Sequence, residues 1–276
     1  MGDRRAIDLV VVPFTHETKA STWERDPRLR EAATRFQLWD RSFSGAPELL
    51  ARMDETGLER ALVPAITGGV WEVPCEYVKG LIETSPNRLY GTAGVDPTDI
   101  AAGVASLDRA VRELDFVGAH SFPHWFGLAP DDRVYYPFYA KCVELDVPIQ
   151  IHVGSSYYPS MRDVGRPETI DAIAVDFPDL RLVAIHTGYP WERELVSVAW
   201  KQPNVYLGIE QRYADSWPQE LVEFIRGDGR EHVLWGTNYP MLDFEPALAG
   251  VDALGLAADV EDLFLYANVK RVYKLP

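Results

Sequence analysis

Eight short apolar segments recur along this chain, and they constrain its fold more than any other feature of the sequence. The segments are rich in Val, Ile and Leu, and most are continuous apolar runs rather than alternations of apolar and polar residues. Continuous runs are typical of parallel strands that are covered on both faces. The predicted strands are residues 6–13, 60–66, 89–96, 116–122, 148–154, 181–188, 205–211 and 232–240.

The segments between the predicted strands carry apolar residues at helical spacing. Phe138, Cys142 and Leu145 follow an i, i+4, i+7 pattern, and a last helix is predicted at 260–267. Strands that alternate with helices predict a closed parallel (β/α)8 barrel, a TIM barrel of the α/β class, with residues 1–276 as a single domain. The alternative is an open doubly wound sheet, but no glycine-rich phosphate loop follows the first predicted strand.

The charge of the chain limits its partners. Its 27 basic and 42 acidic residues give a formal net charge of −15, which would repel nucleic acid and anionic membrane surfaces. No run of 18 apolar residues is present, and Asp8 interrupts the short apolar run near the N-terminus. The two distant cysteines fit a reducing compartment. These features predict a cytoplasmic protein whose partner is a small molecule, with no nucleic acid and no membrane.

Polar residues at the carboxyl ends of the predicted strands are the candidates for chemistry, because active sites of TIM barrels lie at that end. His152 and His186 lie at the ends of the fifth and sixth strands, and a glycine follows two residues after each. We predict that both rings point into the mouth of the barrel. The alternative is that each is a buried histidine whose ring bonds to a backbone carbonyl.

Strands four, seven and eight also end in polar residues. Asn238 ends strand eight, where its neutral amide can form hydrogen bonds but cannot act as a base. Glu210 ends strand seven and is interpreted as a general base, as a group that orients a histidine, or as the ion-pair partner of Arg212. His120 and His124 follow strand four as proton-transfer or substrate-orienting groups, although His124 could instead stack on the tryptophan that follows it.

Longer stretches around these residues resemble one enzyme family. The densest match is residues 118–154, GAHSFPHWFGLAPDDRVYYPFYAKCVELDVPIQIHVG, and it continues in AIHTGYPW, LWGTNYP and the closing ANVKRVY. These stretches resemble the amidohydrolase-related family that includes aminocarboxymuconate-semialdehyde decarboxylase and resorcylate-type decarboxylases. The resemblance covers nearly the whole chain and implies a TIM barrel of the metal-dependent-hydrolase type.

The resemblance also implies a metal site, from which this chain departs. The family holds a divalent metal, usually zinc, with a His-x-His pair on strand one, a His on strand five and an Asp on strand eight, while a His on strand six assists the chemistry. His152 and His186 match the strand-five and strand-six positions, but Val10 and Val12 replace the pair and Asn238 replaces the acid. Because a catalytic zinc normally has three protein ligands, we predict an enzyme without a metal.

By this resemblance the reaction is hydrolysis or C–C bond cleavage, including decarboxylation, of a small organic acid or ketone. The predicted catalytic residues are His120, His152, His186, Glu210 and Asn238. The predicted substrate-binding residues are His124, Trp125, Tyr157, Tyr158, Arg162, Trp191 and Arg212. The loops at 14–45, 67–75, 123–135 and 155–166 are expected to shape the pocket, and the family alone implies a homodimer.

Two alternatives to this function remain open. The first is a Zn²⁺- or Mn²⁺-dependent decarboxylase or hydrolase whose rearranged site uses His120, His152, His186 and Glu210. The second is an inactive pseudoenzyme that binds a small ligand. The loss of three ligand positions favours the pseudoenzyme, whereas the polar residues that remain at the strand ends favour an enzyme.

Overall fold

The computed structural model of the protein describes residues 5–68, 71–156, 158 and 161–276. These residues form one sheet of eight parallel strands, in which each strand pairs with the next along the chain. The strands are β1 (Ala6–Asp8), β2 (Leu58–Pro64), β3 (Leu89–Gly94), β4 (Gly118–Ser121), β5 (Ile149–His152), β6 (Leu182–Ile185), β7 (Val205–Ile209) and β8 (Val233–Trp235). Each strand overlaps the segment predicted for it.

Backbone contacts between the first and last strands close the sheet into a barrel. The Leu9 N–H donates to the Trp235 carbonyl at 3.2 Å, and the Val12 N–H donates to the Tyr239 carbonyl at 2.8 Å. Val11 also forms a parallel bridge with Tyr239. The predicted (β/α)8 barrel is therefore confirmed.

The connections between the strands are mainly helical. The helices are α1 (His16–Thr18), α2 (Pro27–Arg35), α3 (Ala46–Thr56), α4 (Cys75–Glu83), α5 (Ile100–Glu113), α6 (Pro123–Phe126), α7 (Tyr136–Leu145), α8 (Pro167–Asp176), α9 (Glu192–Lys201), α10 (Gln219–Arg226), α11 (Phe244–Ala253), α12 (Ala258–Asp262) and α13 (Asn268–Val272). The pattern of Phe138 and Cys142 predicts α7, and both side chains are buried there. In the described ranges, no helix has the length and apolar character needed to cross a membrane.

Helix α2 lies within residues 14–45, a segment for which the sequence predicts only a loop. The Asp26 carboxylate caps its N-terminus by accepting the backbone N–H of Arg28 at 2.8 Å, and Pro27 occupies the first turn. Its buried side is small and includes Leu29 and Ala32, while three arginines lie elsewhere on the helix. The apolar stripe is therefore weak in the sequence, although the cap is clear.

The C-terminal segment closes one end of the barrel. A buried cluster joins strand residues such as Ile7 and Leu62 to Tyr273 and Leu275, near the end of the chain. A Cβ added to Gly118, the first residue of β4, would lie 3.1 Å from the Tyr273 ring. The amino-terminal end of the barrel is therefore filled by side chains, and the site must be sought at the carboxyl end.

Candidate active site

A cleft lies at the carboxyl end of the barrel. The cavity within it measures about 80 Å³, below the roughly 300–1,000 Å³ typical of sites for drug-sized ligands, so a ligand held inside it must be small. Its lining residues are Val12, Trp23, Ala32, Phe36, Leu38, Ile66, Trp71, His120, Phe122, Trp125, His152, Tyr158, His186, Gln211, Asn238, Pro240 and Met241. Four of the five predicted catalytic residues line this cleft, and the fifth, Glu210, lies behind His186.

The last four strands pass into their loops through left-handed backbone. The positive φ angles are 110° at Gly154, 73° at His186, 68° at Gln211 and 52° at Asn238. Such angles are uncommon for residues other than glycine, and the surrounding structure must supply the free energy they cost. They also break the in-and-out alternation of a strand. Three of these four residues line the cleft as a result.

Glu210 holds His186 at two points. Its Oε1 accepts the backbone N–H of His186 at 2.6 Å, and its Oε2 lies 2.8 Å from the ring atom Nδ1. A carboxylate can only accept, so Nδ1 carries the hydrogen and Nε2 is the nitrogen left for a ligand. Glu210 is fully buried, and Arg212 contacts the Tyr189 ring and the Ser216 carbonyl. Glu210 therefore orients a histidine.

His152 lies between two other histidines. Its ring centre is 4.2 Å from those of both His124 and His186, and the Phe122 ring lies edge-on at 4.3 Å. Burial, reinforced by the neighbouring histidines and weakly opposed by the Ser155 backbone, lowers the pKa of His152 well below its usual value. Neither ring nitrogen has a hydrogen-bond partner among the described residues. Because an unpaired buried polar group is costly, a water or a ligand atom is expected to bond to this ring.

The other two histidines of the group differ in their access to the cleft. His120 Nδ1 lies 2.8 Å from the Gln150 carbonyl oxygen, while the Gln150 amide donates to the Leu9 carbonyl at 3.0 Å. Nδ1 of His120 is therefore the donor, and its Nε2 is left for the cleft. His124 Nε2 donates to the Gly154 carbonyl at 3.0 Å, and His124 does not line the cleft. Burial lowers the pKa of each of these histidines to about 4.

Asp8 was not among the predicted site residues, yet it positions the end of β8. Its Oδ1 accepts the backbone N–H groups of Val10 and Thr237, both at 3.0 Å, and its Oδ2 accepts the Thr237 hydroxyl at 2.5 Å. Burial raises its pKa to about 7, although these hydrogen bonds oppose the rise. The contacts hold the residue that precedes Asn238. The signal in the sequence is a single acid inside an apolar strand.

The predicted substrate-binding residues divide into two groups. Trp125 and Tyr158 line the cleft with their ring centres 5.0 Å apart. Trp191, Arg162 and Arg212 are not part of its lining. Tyr157 lies outside the described residues. Several apolar lining residues were missed in the sequence, and they are Trp23, Ala32, Phe36, Leu38, Ile66, Trp71, Phe122 and Met241.

The side chains at the family's metal positions do not fit a divalent metal. Val10 and Val12 offer only aliphatic carbon, and Asn238 lacks the negative charge of an aspartate. In the part of the chain that the structure describes, no group of three or more His, Cys, Asp or Glu side chains is arranged to hold a metal ion. His152 is the one family ligand that remains, so we derive no reaction step through a metal.

Known proteins match this chain over different lengths. The amidohydrolase family matches residues 47–275. A 2-keto-4-carboxy-3-hexenedioate hydratase from Sphingobium sp. is 31% identical over 172 residues, which are 54% of this chain and 49% of the hydratase. The decarboxylase orsB of Emericella nidulans is 42% identical over 69 residues, which are 25% of this chain and 21% of that enzyme. The matched stretch thus spans about half the length of the first relative.

Several solved structures share the whole fold. A TIM-barrel protein from Bordetella bronchiseptica has a TM-score of 0.84 and 22% identity, with 99% of both chains covered. A 5-carboxyvanillate decarboxylase from Novosphingobium aromaticivorans, which binds manganese and 3-methoxy-4-hydroxy-5-nitrobenzoic acid, has a TM-score of 0.76 and 18% identity, covering 99% of this chain and 97% of that one. These identities support the fold alone. The match over residues 47–275 shows more, namely that this chain belongs to the amidohydrolase family.

Proposed function

We propose that this protein is a hydrolase or carboxy-lyase that acts on a small organic acid or ketone through histidine acid–base catalysis, without a divalent metal. The observation that carries the proposal is the His186–Glu210 pair. Glu210 fixes the ring tautomer, and the Nε2 of His186 is left for a ligand in the cleft. Buried histidine–carboxylate pairs of this kind position a general acid or base.

The remaining polar side chains fit supporting roles. The two ring nitrogens of His152 are unpaired and buried beside His186, so a substrate carbonyl or hydroxyl can bond to them only if the neighbouring rings shift. The Asn238 amide can donate to an oxygen on which negative charge develops, while the Nε2 of His120, which carries no hydrogen, can accept a hydrogen bond from a substrate hydroxyl. General acid–base catalysis by a positioned group typically contributes roughly 10²–10⁴-fold in rate. His186 is therefore the residue on which we expect the reaction to depend most.

The relatives support a reaction that moves a proton. A hydratase adds water across a double bond, and a decarboxylase replaces a carboxyl group with a proton, so both must deliver a proton to a substrate atom. The first relative is a hydratase, and the second is a decarboxylase. An oriented histidine at a strand end suits that shared step. We also propose the cytoplasmic location and the homodimer that the sequence analysis predicts.

Activity of the metal-stripped protein tests this proposal. We expect hydrolase or decarboxylase turnover on a panel of small acids, esters and ketones to survive dialysis against a chelator, with metal content checked by elemental analysis. His186→Ala should lower kcat/KM by roughly 10²–10⁴-fold. His16→Ala, which changes an exposed histidine in α1, is the matched control and should retain activity. Activity that disappears with the metal and returns with added Mn²⁺ or Zn²⁺ would favour the metal-dependent alternative.

A further inference from the structure

We propose that the substrate enters this cleft in an uncharged form, as a small planar ketone, ester, lactone or phenol rather than as a carboxylate anion. The inference rests on the proposed function and selects its ketone side over its acid side, and with it hydrolysis over decarboxylation. It is carried by the charge of the cleft wall, the positions of the arginines and the distribution of polar atoms.

The lining of the cleft contains no Lys, Arg, Asp or Glu side chain among the described residues. The sequence places Gly, Val, Tyr, Pro and Ser at positions 69, 70, 157, 159 and 160, the internal positions outside the described ranges. No cation is therefore added by those positions either. A carboxylate that leaves water for such a cleft loses its hydration, and no opposite charge compensates for the loss.

The histidines do not supply the missing positive charge. Burial holds His120 uncharged at neutral pH, since its pKa is about 4, and the pKa of His152 is lowered further by the neighbouring rings. His186 has an acidic neighbour, since the Oε2 of Glu210 lies 2.8 Å from its Nδ1. Glu210 and Asp8, both fully buried, lie on either side of Gly236, where an added Cβ would lie 3.2 Å from Glu210 Cγ and 3.0 Å from Asp8 Oδ1. The carboxyl groups behind the cleft make it still less suited to an anion.

Several arginines near the carboxyl end of the barrel contact other groups, while Arg162 is exposed and lies outside the lining. Arg41 donates to the carbonyls of Pro240 at 2.8 Å and Met241 at 3.0 Å, and it pairs with Asp243. Arg35 is exposed, with its guanidinium 5.5 Å from the centre of the Phe36 ring. A bidentate arginine clamp, the usual means of binding a carboxylate, is thus absent from the described lining.

Two further arginines stack on aromatic rings outside the lining. The Arg212 guanidinium lies 4.1 Å from the centre of the Tyr189 ring, and that of Arg166 lies 4.3 Å from the centre of the Trp191 ring. Arg133, exposed to 78%, pairs with Asp176. Each of these three arginines lies in a segment that follows a strand, where it could bind a substrate carboxylate. Each of them instead contacts an aromatic ring or an acidic side chain of the protein.

The polar atoms of the cleft are grouped, and the rest of its wall is aromatic or aliphatic. His120, His152, His186, Gln211 and Asn238 come from the ends of β4 to β8. The apolar wall comes mainly from the segments after β1, β2, β4 and β5, and it includes a pair of tryptophans with ring centres 4.9 Å apart. A flat molecule with an oxygen at one edge matches this division, because aromatic faces bury a ring while the Asn238 amide can donate to a carbonyl oxygen and the imidazole Nε2 atoms can accept from a hydroxyl.

The test compares two ligands that share one shape and differ in charge. We would titrate the protein at pH 8 with 2,6-dihydroxybenzamide and with 2,6-dihydroxybenzoate, following tryptophan fluorescence, since three tryptophans line the cleft, and confirming Kd by calorimetry. The neutral amide should bind at least about tenfold more tightly, because the carboxylate pays an uncompensated desolvation cost. Equal or tighter binding of the carboxylate would overturn the proposal.

Variants make the test independent of catalysis. Met241→Arg places a cation at the lining and should raise benzoate affinity by at least about tenfold, whereas the neutral control Met241→Gln should not. Arg35→Ala should leave both affinities unchanged, and weaker benzoate binding by this variant would count against the proposal, because it would show that Arg35 supplies a positive charge to the cleft. If Met241→Arg lowers the melting temperature sharply, Phe36→Arg replaces it. The same titrations on His186→Ala measure binding without turnover. Their outcome therefore does not depend on whether the protein catalyses the proposed reaction.

Discussion

At the scale of single residues, Glu210 and His186 form the part of the site whose geometry is most completely determined. The two contacts from one carboxylate fix both the backbone and the ring of His186. The Thr187 hydroxyl donates to the Glu210 carbonyl at 2.6 Å, so the residue after His186 also holds the segment that follows β7. A carboxylate that orients an imidazole sets which nitrogen is basic, and it does so without touching the substrate.

Glu210→Gln should separate kcat from KM. The amide nitrogen would donate to Nδ1 and move the ring hydrogen to Nε2, which leaves the wrong tautomer for a base. We expect kcat to fall by roughly 10²–10⁴-fold. KM should change little, because Glu210 does not line the cleft. Steady-state kinetics would measure both, with the exposed Glu231→Gln as control, and a rise in KM at unchanged kcat would show that Glu210 acts on binding instead.

Asp8→Asn should change how stability depends on pH. The pKa of Asp8 is about 7 in the folded protein, against an ordinary value of 3.8. Between these values the folded chain keeps a proton that the unfolded chain has lost, so the free energy of unfolding falls as pH rises, by roughly 4 kcal/mol in all. The variant lacks this titration, and the stability advantage of the native protein over it should shrink from pH 4 to pH 7.

Urea denaturation at pH 4, 5, 6 and 7 would measure that difference. The exposed Asp228→Asn is a control for the loss of one carboxyl group from the surface. A constant difference between the native protein and Asp8→Asn across the series would mean that Asp8 is ionised in the folded chain throughout, contrary to the burial argument.

At the scale of elements, the ends of β1 and β8 carry the residues at which the sequence analysis expects a metal site to be lost. Val12 and Asn238 both line the cleft, and the Val12 N–H donates to the carbonyl of Tyr239, the residue after Asn238. The two strand ends are thus adjacent, and the positions that hold a metal in the family are close together here. The Asp8 carboxylate holds the backbone of this corner through its two hydrogen bonds to Thr237.

The triple variant Val10→His, Val12→His and Asn238→Asp should bind about one equivalent of Zn²⁺ or Mn²⁺. With His152 it would offer at least three protein ligands, the number that a catalytic zinc normally needs. Buried polar groups without a metal are costly, so the metal-free variant should melt below the native protein and regain stability on metal addition. Calorimetric titration would measure binding, with Val10→His alone as control. Failure of the triple variant to bind metal would show that the backbone of this corner has also changed.

The elements were predictable to the extent that each has a local signal. The positions of His152 and His186 at strand ends follow from the apolar runs, because the carboxyl ends of parallel strands in a barrel lie on the same side. The observed strand order confirms the predicted fold. The left-handed backbone at His186 has no such signal, because it depends on the Glu210 carboxylate, 24 residues later. The apolar wall of the cleft also lacks a local signal, because it joins residues that are distant in the sequence. Trp23 and Trp71, for example, pack edge to face although they are 48 positions apart.

At the scale of the whole molecule, the barrel is filled at one end and open at the other. Gln150 lies inside the barrel beneath His120, where it joins that ring to the Leu9 carbonyl on β1. Below it, Tyr273 and Leu275 pack with residues of several strands. The C-terminal segment therefore supports the barrel at the end opposite to the cleft. Residues at the carboxyl end of the strands form the candidate site, and residues at the amino end stabilise the fold.

Tyr273→Ala should destabilise the protein without altering the cleft directly. The side chain is 3% exposed and its ring contacts the start of β4, so its removal leaves a cavity that the rigid strands cannot fill. Truncation of a large buried aromatic costs about 3–5 kcal/mol. The neighbouring Lys274→Ala removes only a surface ion pair with Asp146 and should cost less than about 1 kcal/mol.

Urea denaturation of both variants would compare their free energies of unfolding. The Kd for the neutral ligand should be unchanged under conditions in which Tyr273→Ala remains folded. A loss of affinity at equal folded fraction would show instead that the base of the barrel positions Gln150, and through it His120, at the cleft.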